Sequence, residues 1–270
     1  MSTAPRRTVG SLPHGSSAML VLFLLFTVAL FALAWFLGGT PLGRRAAPAA
    51  PAAGQGDDTA LPPITCVVID AGHGGEDGGA SSTAGLVEKE VNLAVATYLR
   101  DLCETAGIPT VMTRTEDKLL YDRNADYQGR KKVLDLAARR AIAEEMAQKA
   151  AANGGEILFV SIHMNAFPQP QYSGMQVWYG VATPRSAAIA ESIQQASKTL
   201  MPDNTRKIKE SGSNIYLLDR LTTPAVLVEC GFLSNPAEAH RLADESYRRA
   251  LAAAIFAAIA PHVGAMAAAG

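Results

Sequence analysis

Cysteine and histidine are scarce in this chain, and neither sign of charge dominates. Its 270 residues include three cysteines and five histidines, and 24 basic residues balance 25 acidic ones for a net charge of −1. A nucleic-acid-binding surface requires a clear basic excess, so we expect no nucleic-acid partner. Cys66 and Cys230 lie in apolar runs and Cys103 on a predicted helix, without C-x-x-C spacing, which predicts small buried side chains.

Charged residues are also few, at 18%, whereas hydrophobic residues make up 49%. This composition excludes wholesale disorder and is sufficient for one full hydrophobic core. The chain contains no internal repeat. The length therefore predicts one substantial domain with an N-terminal extension.

The longest uncharged apolar run is at residues 18–37, AMLVLFLLFTVALFALAWFL. At 1.5 Å per residue this run spans roughly 30 Å, the thickness of the bilayer core, and predicts a transmembrane anchor. A cleaved signal peptide is the alternative, but its apolar region is usually only about 7–15 residues long. Basic pairs flank the run on both sides, so the charge bias does not set its orientation. The predicted cytoplasmic location of residues 1–17 is therefore argued mainly from the function of the domain that follows.

Residues 38–63 are rich in Ala, Pro and Gly and predict an extended linker. Apolar strands and amphipathic helices then alternate through a domain at 64–268, which predicts an α/β fold with a mostly parallel mixed sheet and helices on both faces. The predicted strands are 64–72, 108–113, 157–166, 174–180, 214–218 and 225–232, and the predicted helices are 88–106, 131–152, 184–200, 235–243 and 247–268. The polar segment 115–130 is long enough for a functional loop.

Two of the histidines stand at the C-terminal ends of predicted strands. His73 lies in the glycine-rich stretch GHGGEDGG, and His163 in FVSIHMNA. In open α/β sheets the ligand crevice lies beyond the carboxyl ends of the strands, so both histidines fall where a site is expected. A phosphate-binding loop is disfavoured, because neither GK[ST] nor G-x-G-x-x-G is present.

Two glutamates accompany these histidines. Glu88 begins a predicted helix, where an acid is often only a dipole partner, and Glu229 interrupts the apolar strand AVLVECGF. Two imidazoles and one carboxylate suffice for a catalytic Zn²⁺, and a second carboxylate can act as general base. Spacing alone leaves open the alternative of scattered structural side chains.

Five motifs occur in an order that resembles one enzyme family. They are VVIDAGHGGEDGGA, EKEVNLAVA, MTR at 112–114, FVSIHMNA and PAVLVECGFLSNPAEA. Together they resemble the zinc-dependent N-acetylmuramoyl-L-alanine amidases of the amidase-3 type, over residues 64 to about 260. The resemblance implies zinc ligands at His73, Glu88 and His163 and a catalytic glutamate at Glu229. Ala71 departs from the family, which usually has proline before GHGG.

A narrower resemblance concerns the segments NTRKIKESGSNIYLL and TTPAVLVECGFLSNPAEAHRL, which are similar to the spore-cortex amidases of this family. This similarity implies a peptidoglycan substrate, a membrane-anchored enzyme with an extracytoplasmic catalytic domain (the forespore intermembrane space) and a role in forming the muramic δ-lactam for germination. An activating protein partner is a further expectation. Vegetative wall turnover or cell separation is the alternative role.

Several other residues have two interpretations each. Asp70 could orient a ligand imidazole or cap the glycine loop, and Asn165 could bind substrate or the backbone. Arg139 and Arg140 predict a solvated helix face, and Arg114 and Arg123 could meet acidic groups of the stem peptide. Two other functions are alternatives: a cysteine peptidase that uses Cys230, and a non-catalytic wall-binding or activator module.

Overall fold

A six-stranded sheet with helices on both faces forms the part of the chain that the computed structural model describes, residues 61–121 and 130–264. Its strands are β1 (Ile64–Ala71), β2 (Thr110–Met112), β3 (Glu156–Asn165), β4 (Gln176–Tyr179), β5 (Lys209–Glu210) and β6 (Ala225–Phe232). Its α-helices are α1 (Glu88–Thr105), α2 (Lys131–Ala152), α3 (Pro184–Ala196), α4 (Tyr216–Arg220), α5 (Pro236–Ala243) and α6 (Glu245–Ile259).

The strand order is β2-β1-β3-β6-β4-β5. The first four strands in this order are parallel, and β4 runs antiparallel to β6. The predicted mixed, mostly parallel α/β sheet is therefore confirmed. Because β1, β3 and β6 are neighbours, their carboxyl ends lie side by side at one edge, which we call the carboxyl edge.

The central strands are apolar on both faces, and helices cover both. In β1 only Thr65 is not buried, and such continuous burial requires a layer of helices on each side. Helices α1, α3 and α6 pack on one face, and α2 and α4 pack on the other. The two apolar layers hold the strands rigidly, so the residues at the carboxyl edge have a fixed scaffold.

The starts of α3 and α5 follow capping signals in the sequence. Thr183 caps α3, with Pro184 at the first helical position, and its hydroxyl accepts a hydrogen bond from the Arg185 amide. Asn235 caps α5 in the same way, by accepting hydrogen bonds from the amides of Ala237 and Glu238. The predicted helix at 131–152 and the predicted strand at 225–232 have the bounds that the structure shows.

Two predicted elements differ from the structure. Residues 214–218 were predicted as a strand, but the chain forms a 3-10 turn at Gly212–Asn214 and then helix α4, whose Leu217 and Leu218 pack into the core on the α2 side. A five-residue apolar run does not distinguish a strand from a buried helical turn. The last predicted helix also ends early, at Ile259, because Pro261 cannot continue it.

No helix among residues 61–121 and 130–264 is long and apolar enough to cross a membrane. The predicted anchor at 18–37 and the linker up to residue 60 lie outside the described residues, as do residues 122–129 of the predicted loop.

Candidate metal centre

The loop after β1 brings His73 to the carboxyl edge in an unusual backbone conformation. His73 has a φ of 61°, in the left-handed region that non-glycine residues rarely adopt. Gly74 and Gly75 follow with φ values of 141° and 57°. The G-H-G-G sequence therefore gives the backbone a path that bulkier residues would not allow.

Two other glycines of this loop allow the site residues to approach closely. A Cβ added at Gly72 would lie 2.3 Å from the His163 ring. One added at Gly79 would lie 2.4 Å from Oε2 of Glu88 and 2.7 Å from the His73 ring. The glycine loop thus forms a wall of backbone against which three functional side chains pack.

Glu88 is the first residue of α1 and lies between the two imidazoles. Its side-chain oxygen Oε1 is 3.2 Å from Nε2 of His73 and 3.0 Å from Nδ1 of His163. Its second oxygen, Oε2, accepts a hydrogen bond of 2.8 Å from the Ala80 amide. Burial alone would raise the pKa of Glu88, but the two imidazoles hold that pKa well below its usual value, so the carboxylate is ionised.

His163 and Glu229 project side by side from adjacent strands. His163 of β3 is the register partner of Glu229 of β6, so both side chains lie on the same face of the sheet. The rings of His163 and His73 meet edge to face, with centroids 5.0 Å apart. The sheet register therefore brings the fourth predicted site residue next to the other three.

These residues fit a metal ion. The ligand atoms of His73, Glu88 and His163 all lie within 4.8 Å of one another. Zinc bonds of about 2.0–2.1 Å at tetrahedral angles require ligand atoms roughly 3.3 Å apart, which is close to the Glu88–imidazole distances. In addition, Nδ1 of His73 lies 2.9 Å from a carboxylate oxygen of Asp77, a contact typical of metal-binding histidines. The three residues form a candidate metal site.

Glu229 lacks the partners that a carboxylate in a strand normally has. Its atom Oε2 is buried and makes no hydrogen bond within the described part of the chain. Burial raises the pKa of Glu229, and the nearby Glu88 adds to this against the lowering effects of His163 and His73, so that the pKa is about 7. A carboxyl group that can gain or lose a proton near neutral pH is suited to general acid–base chemistry.

Asp70 is fully enclosed, and its hydrogen bonds go to residues in or next to the neighbouring strands and to Arg139 rather than to an imidazole. Its carboxylate accepts hydrogen bonds of 2.7 Å from Thr113, 2.6 Å from Ser161 and 2.7 Å from Arg139. Burial would raise the pKa of Asp70, but the Arg139 guanidinium and the two hydroxyl groups lower it to about 2. Asp70 therefore remains a charged anchor for Arg139.

Arg139 is buried, so its predicted position on a solvated helix face was wrong. Its guanidinium donates hydrogen bonds of 2.7 Å to the Ala71 carbonyl and 2.6 Å to the His73 carbonyl. It also forms ion pairs with Asp70 and Asp135, both at 2.7 Å. Arg139 fixes the backbone of His73, a function for which a single charged residue on a helix gives no sequence signal.

Arg114 is also buried and supports the same loop from its other side. It donates hydrogen bonds to the carbonyls of Ala71, Gly72 and Lys89 at 2.8–2.9 Å. The predicted contact of Arg114 with the stem peptide was wrong, because its guanidinium is occupied within the protein; Arg123 lies outside the described residues.

Asn165 lies at the end of β3, on the rim of the site. Its backbone carbonyl accepts a hydrogen bond of 2.8 Å from the Leu233 amide, and the residue is partly exposed. Beside His73 and His163 is a cavity of about 210 Å³, whose far wall is apolar and formed by Leu136, Ile215 and Leu217. A polar wall opposite an apolar one is typical of a ligand pocket, and Asn165 remains a prediction for substrate binding.

The structure contradicts the cysteine-peptidase alternative. Cys230 is 0% exposed and packs in the core on the face of the sheet opposite Glu229. Burial raises the pKa of its thiol far above the usual range, so the reactive thiolate does not form.

The carboxyl edge of this α/β sheet has the composition of a metal-dependent hydrolase site. It presents two imidazoles, an ionised glutamate and a second carboxyl group with a raised pKa. The sequence pattern of the amidase-3 family, described as N-acetylmuramoyl-L-alanine amidase, matches residues 67–261. The chain belongs to this family of amidases.

Individual relatives agree with this assignment. The germination-specific N-acetylmuramoyl-L-alanine amidase of Bacillus subtilis is 35% identical over 193 residues, which cover 72% of this chain and 77% of the relative. The CwlD amidase of Clostridioides difficile, solved in complex with the GerS lipoprotein, is 36% identical with a TM-score of 0.65, over 73% of this chain and 98% of that one. The catalytic domain of CwlV, an amidase from Bacillus (Paenibacillus) polymyxa, is 29% identical with a TM-score of 0.60, over 73% and 97% of the two chains.

Proposed function

We propose that this amidase is zinc-dependent and hydrolyses the amide bond between N-acetylmuramic acid and the L-alanine of the peptidoglycan stem peptide. The observation that carries the proposal is the convergence of the ligand atoms of His73, Glu88 and His163 within 4.8 Å, beside a Glu229 whose buried Oε2 has no hydrogen-bond partner among the described residues. Zinc held by these three residues would polarise the amide carbonyl and lower the pKa of a water molecule.

The protein's own residues would supply the remaining chemistry. Glu229 is suited to accept the proton of the attacking water and to donate it to the departing L-alanine nitrogen. This proton transfer requires a carboxyl group whose pKa lies near neutrality, and the pKa of about 7 for Glu229 meets that requirement. Glu88 remains ionised between the imidazoles and so preserves their orientation.

We further propose that the substrate is spore-cortex peptidoglycan, and that the product is the stripped muramic acid from which the muramic δ-lactam forms. Support comes from two relatives of 35% and 36% identity, a germination-specific amidase and the CwlD amidase. The GerS lipoprotein bound to the latter supports an activating protein partner for this chain as well.

The proposed location is a single-pass anchor at residues 18–37 with the catalytic domain on the extracytoplasmic side, where peptidoglycan lies. The apolar run without charges supports the anchor. The extracytoplasmic location of the catalytic domain follows from the location of the peptidoglycan substrate.

The test uses the full chain purified in detergent. Bound metal is measured, and spore-cortex and vegetative peptidoglycan are digested with and without a chelator, with products identified by mass. We expect about one zinc per chain and chelator-sensitive release of peptides that begin with L-alanine.

The matched controls separate the parts of this proposal. His163→Ala should lose both zinc and activity, whereas His240→Ala, on α5 outside the site, should retain both. Zinc retained in full by His163→Ala would refute the metal site. Equal cleavage of cortex and vegetative walls would favour vegetative wall turnover instead.

A further inference from the structure

A second and larger cavity lies at the carboxyl edge, beyond β4. Its volume is about 660 Å³, within the range of ligand pockets. We call it the β4 groove; it lies between the segment Tyr172–Gln176 and the segment Met201–Lys209, with Glu238 and Arg241 of α5 at its base.

The β4 groove is connected to the metal centre by a row of paired residues. His163 of β3 pairs with Glu229 of β6, and Glu229 pairs in turn with Gln176 of β4. Paired residues project from the same face of a sheet, and neighbouring strands are about 4.8 Å apart. Gln176, which lines the groove, is therefore roughly 10 Å from His163 along a straight row.

Arg206 is held rigidly at the outer end of this row. Its Nη1 donates a hydrogen bond of 3.2 Å to the side-chain oxygen of Gln176, and its Nε donates one of 2.6 Å to the Ser173 carbonyl. Its guanidinium carbon lies 4.4 Å from the centroid of the Phe232 ring. Few rotamers remain available to a guanidinium with three such contacts, so it is oriented before any ligand binds.

This cation has no counter-ion within the described part of the chain. No carboxylate pairs with Arg206 there, and its Nη2 makes no hydrogen bond. The acidic Glu238 nearby is already occupied, because it accepts hydrogen bonds from the Gly174 and Phe232 amides and pairs with Arg241 at 3.1 Å. The groove is also lined by two lysines, Lys207 and Lys209, and by one further acid, Asp203, so basic side chains outnumber acidic ones in its lining.

From this geometry we infer that the β4 groove binds a carboxylate of the stem peptide and that Arg206 is its receptor. The inference rests on the proposed function. Only the peptide side of the substrate carries free carboxylates, because the acid of muramic acid is consumed in the scissile amide. An extended chain covers about 3.3–3.6 Å per residue, so roughly 10 Å corresponds to the second or third peptide residue.

The test compares two forms of one substrate with the full chain loaded with zinc in detergent. Soluble glycan–peptide fragments are used either with free carboxylates or with these carboxylates chemically amidated. For Arg206→Gln we expect kcat/KM on the free-carboxylate fragment to fall about 10- to 100-fold, mainly through KM, since a charged hydrogen bond is lost. On the amidated fragment we expect no change.

Arg206→Lys should recover part of the lost kcat/KM, and Arg249→Gln, an exposed arginine on α6, should resemble the wild type on both fragments. An equal loss on both fragments would assign Arg206 a merely structural role through Gln176 and overturn the inference. Equal efficiency of the wild type on both fragments would overturn the carboxylate subsite and leave the amidase function intact. If the wild type cleaves neither fragment, the proposed function fails together with the subsite.

Discussion

At the scale of single residues, the two glutamates of the site are distinguished by their environments rather than by their chemistry. Glu88 lies between two imidazoles, which lower the pKa that its burial would raise. Glu229 is half-buried, its enclosed Oε2 has no hydrogen-bond partner in the described part of the chain, and its pKa rises to about 7. The same side chain is thereby suited to hold a cation at one position and to exchange a proton at the other.

The first prediction concerns Glu229→Gln. The amide has the same shape but cannot accept a proton, so we expect kcat to fall by about 10²- to 10⁴-fold while the bound zinc is unchanged. The control is Glu210→Gln, a similar change at an exposed position of β5, which should retain full activity. Metal content and amide hydrolysis are measured on the same preparations. Activity above a tenth of the wild-type value would show that Glu229 is not the proton acceptor.

At the scale of elements, most of the fold follows from local signals. The helix at 131–152 and the strand at 225–232 were predicted with the bounds that the structure has, because amphipathic periodicity and continuous apolar runs are long there. The short run at 214–218 was predicted wrongly as a strand, since five apolar residues fit a buried helical turn equally well. Its helical form depends on packing near α2, which the sequence does not show.

The residues of the candidate site also include some that local sequence signals reveal and others that they do not. His73, His163 and Glu229 could be found because each follows or interrupts an apolar strand. The supporting arginines could not, because Arg139 contacts residues 66–69 positions away in the chain and Arg114 contacts residues 25–43 positions away. Such contacts exist only after the sheet has formed.

The glycine loop provides the second prediction, at this same scale. Gly79 and Gly85 both have left-handed φ values, 68° and 83°, so alanine at either position introduces backbone strain of roughly 1–2 kcal/mol. Only at Gly79 would the new Cβ also collide with Glu88 and His73. We therefore expect Gly79→Ala to lose zinc affinity and activity, and Gly85→Ala, which has open space, to lose only stability.

Two measurements separate the loss of zinc affinity from the loss of stability. Zinc affinity is measured by competition with a chromogenic chelator, and stability by the melting temperature. Equal zinc affinity in the two alanine variants would show that the loop tolerates a side chain against the metal centre. In that case the close approach at Gly79 would not be required for the site.

At the scale of the whole molecule, one buried network joins the elements that position the site. Asp70 at the end of β1 is hydrogen-bonded to Thr113 after β2, to Ser161 of β3 and to Arg139 of α2. Arg139 in turn holds the backbone of the loop that carries His73. Because three strands and a helix meet in this network, its charge state affects the stability of the described unit as a whole.

The third prediction is therefore a stability that depends on Asp70 at acidic pH. The pKa of Asp70 is about 2 in the fold and near its ordinary value of 3.8 in the unfolded chain, so its ionised form stabilises the fold. This stabilisation, about 2 kcal/mol, is complete above about pH 5 and is lost as the pH falls through the folded pKa near 2. In chelator-treated protein, the free energy of unfolding by urea should fall between pH 5 and pH 2 in both the wild type and Asp70→Asn. The fall should be about 2 kcal/mol smaller in Asp70→Asn.

Asp70→Asn should also be less stable at pH 7, because Arg139 loses a buried partner. Asp101→Asn, an exposed change, should keep the wild-type pH profile. Parallel profiles for the wild type and Asp70→Asn would mean that this carboxyl group does not link the fold to pH.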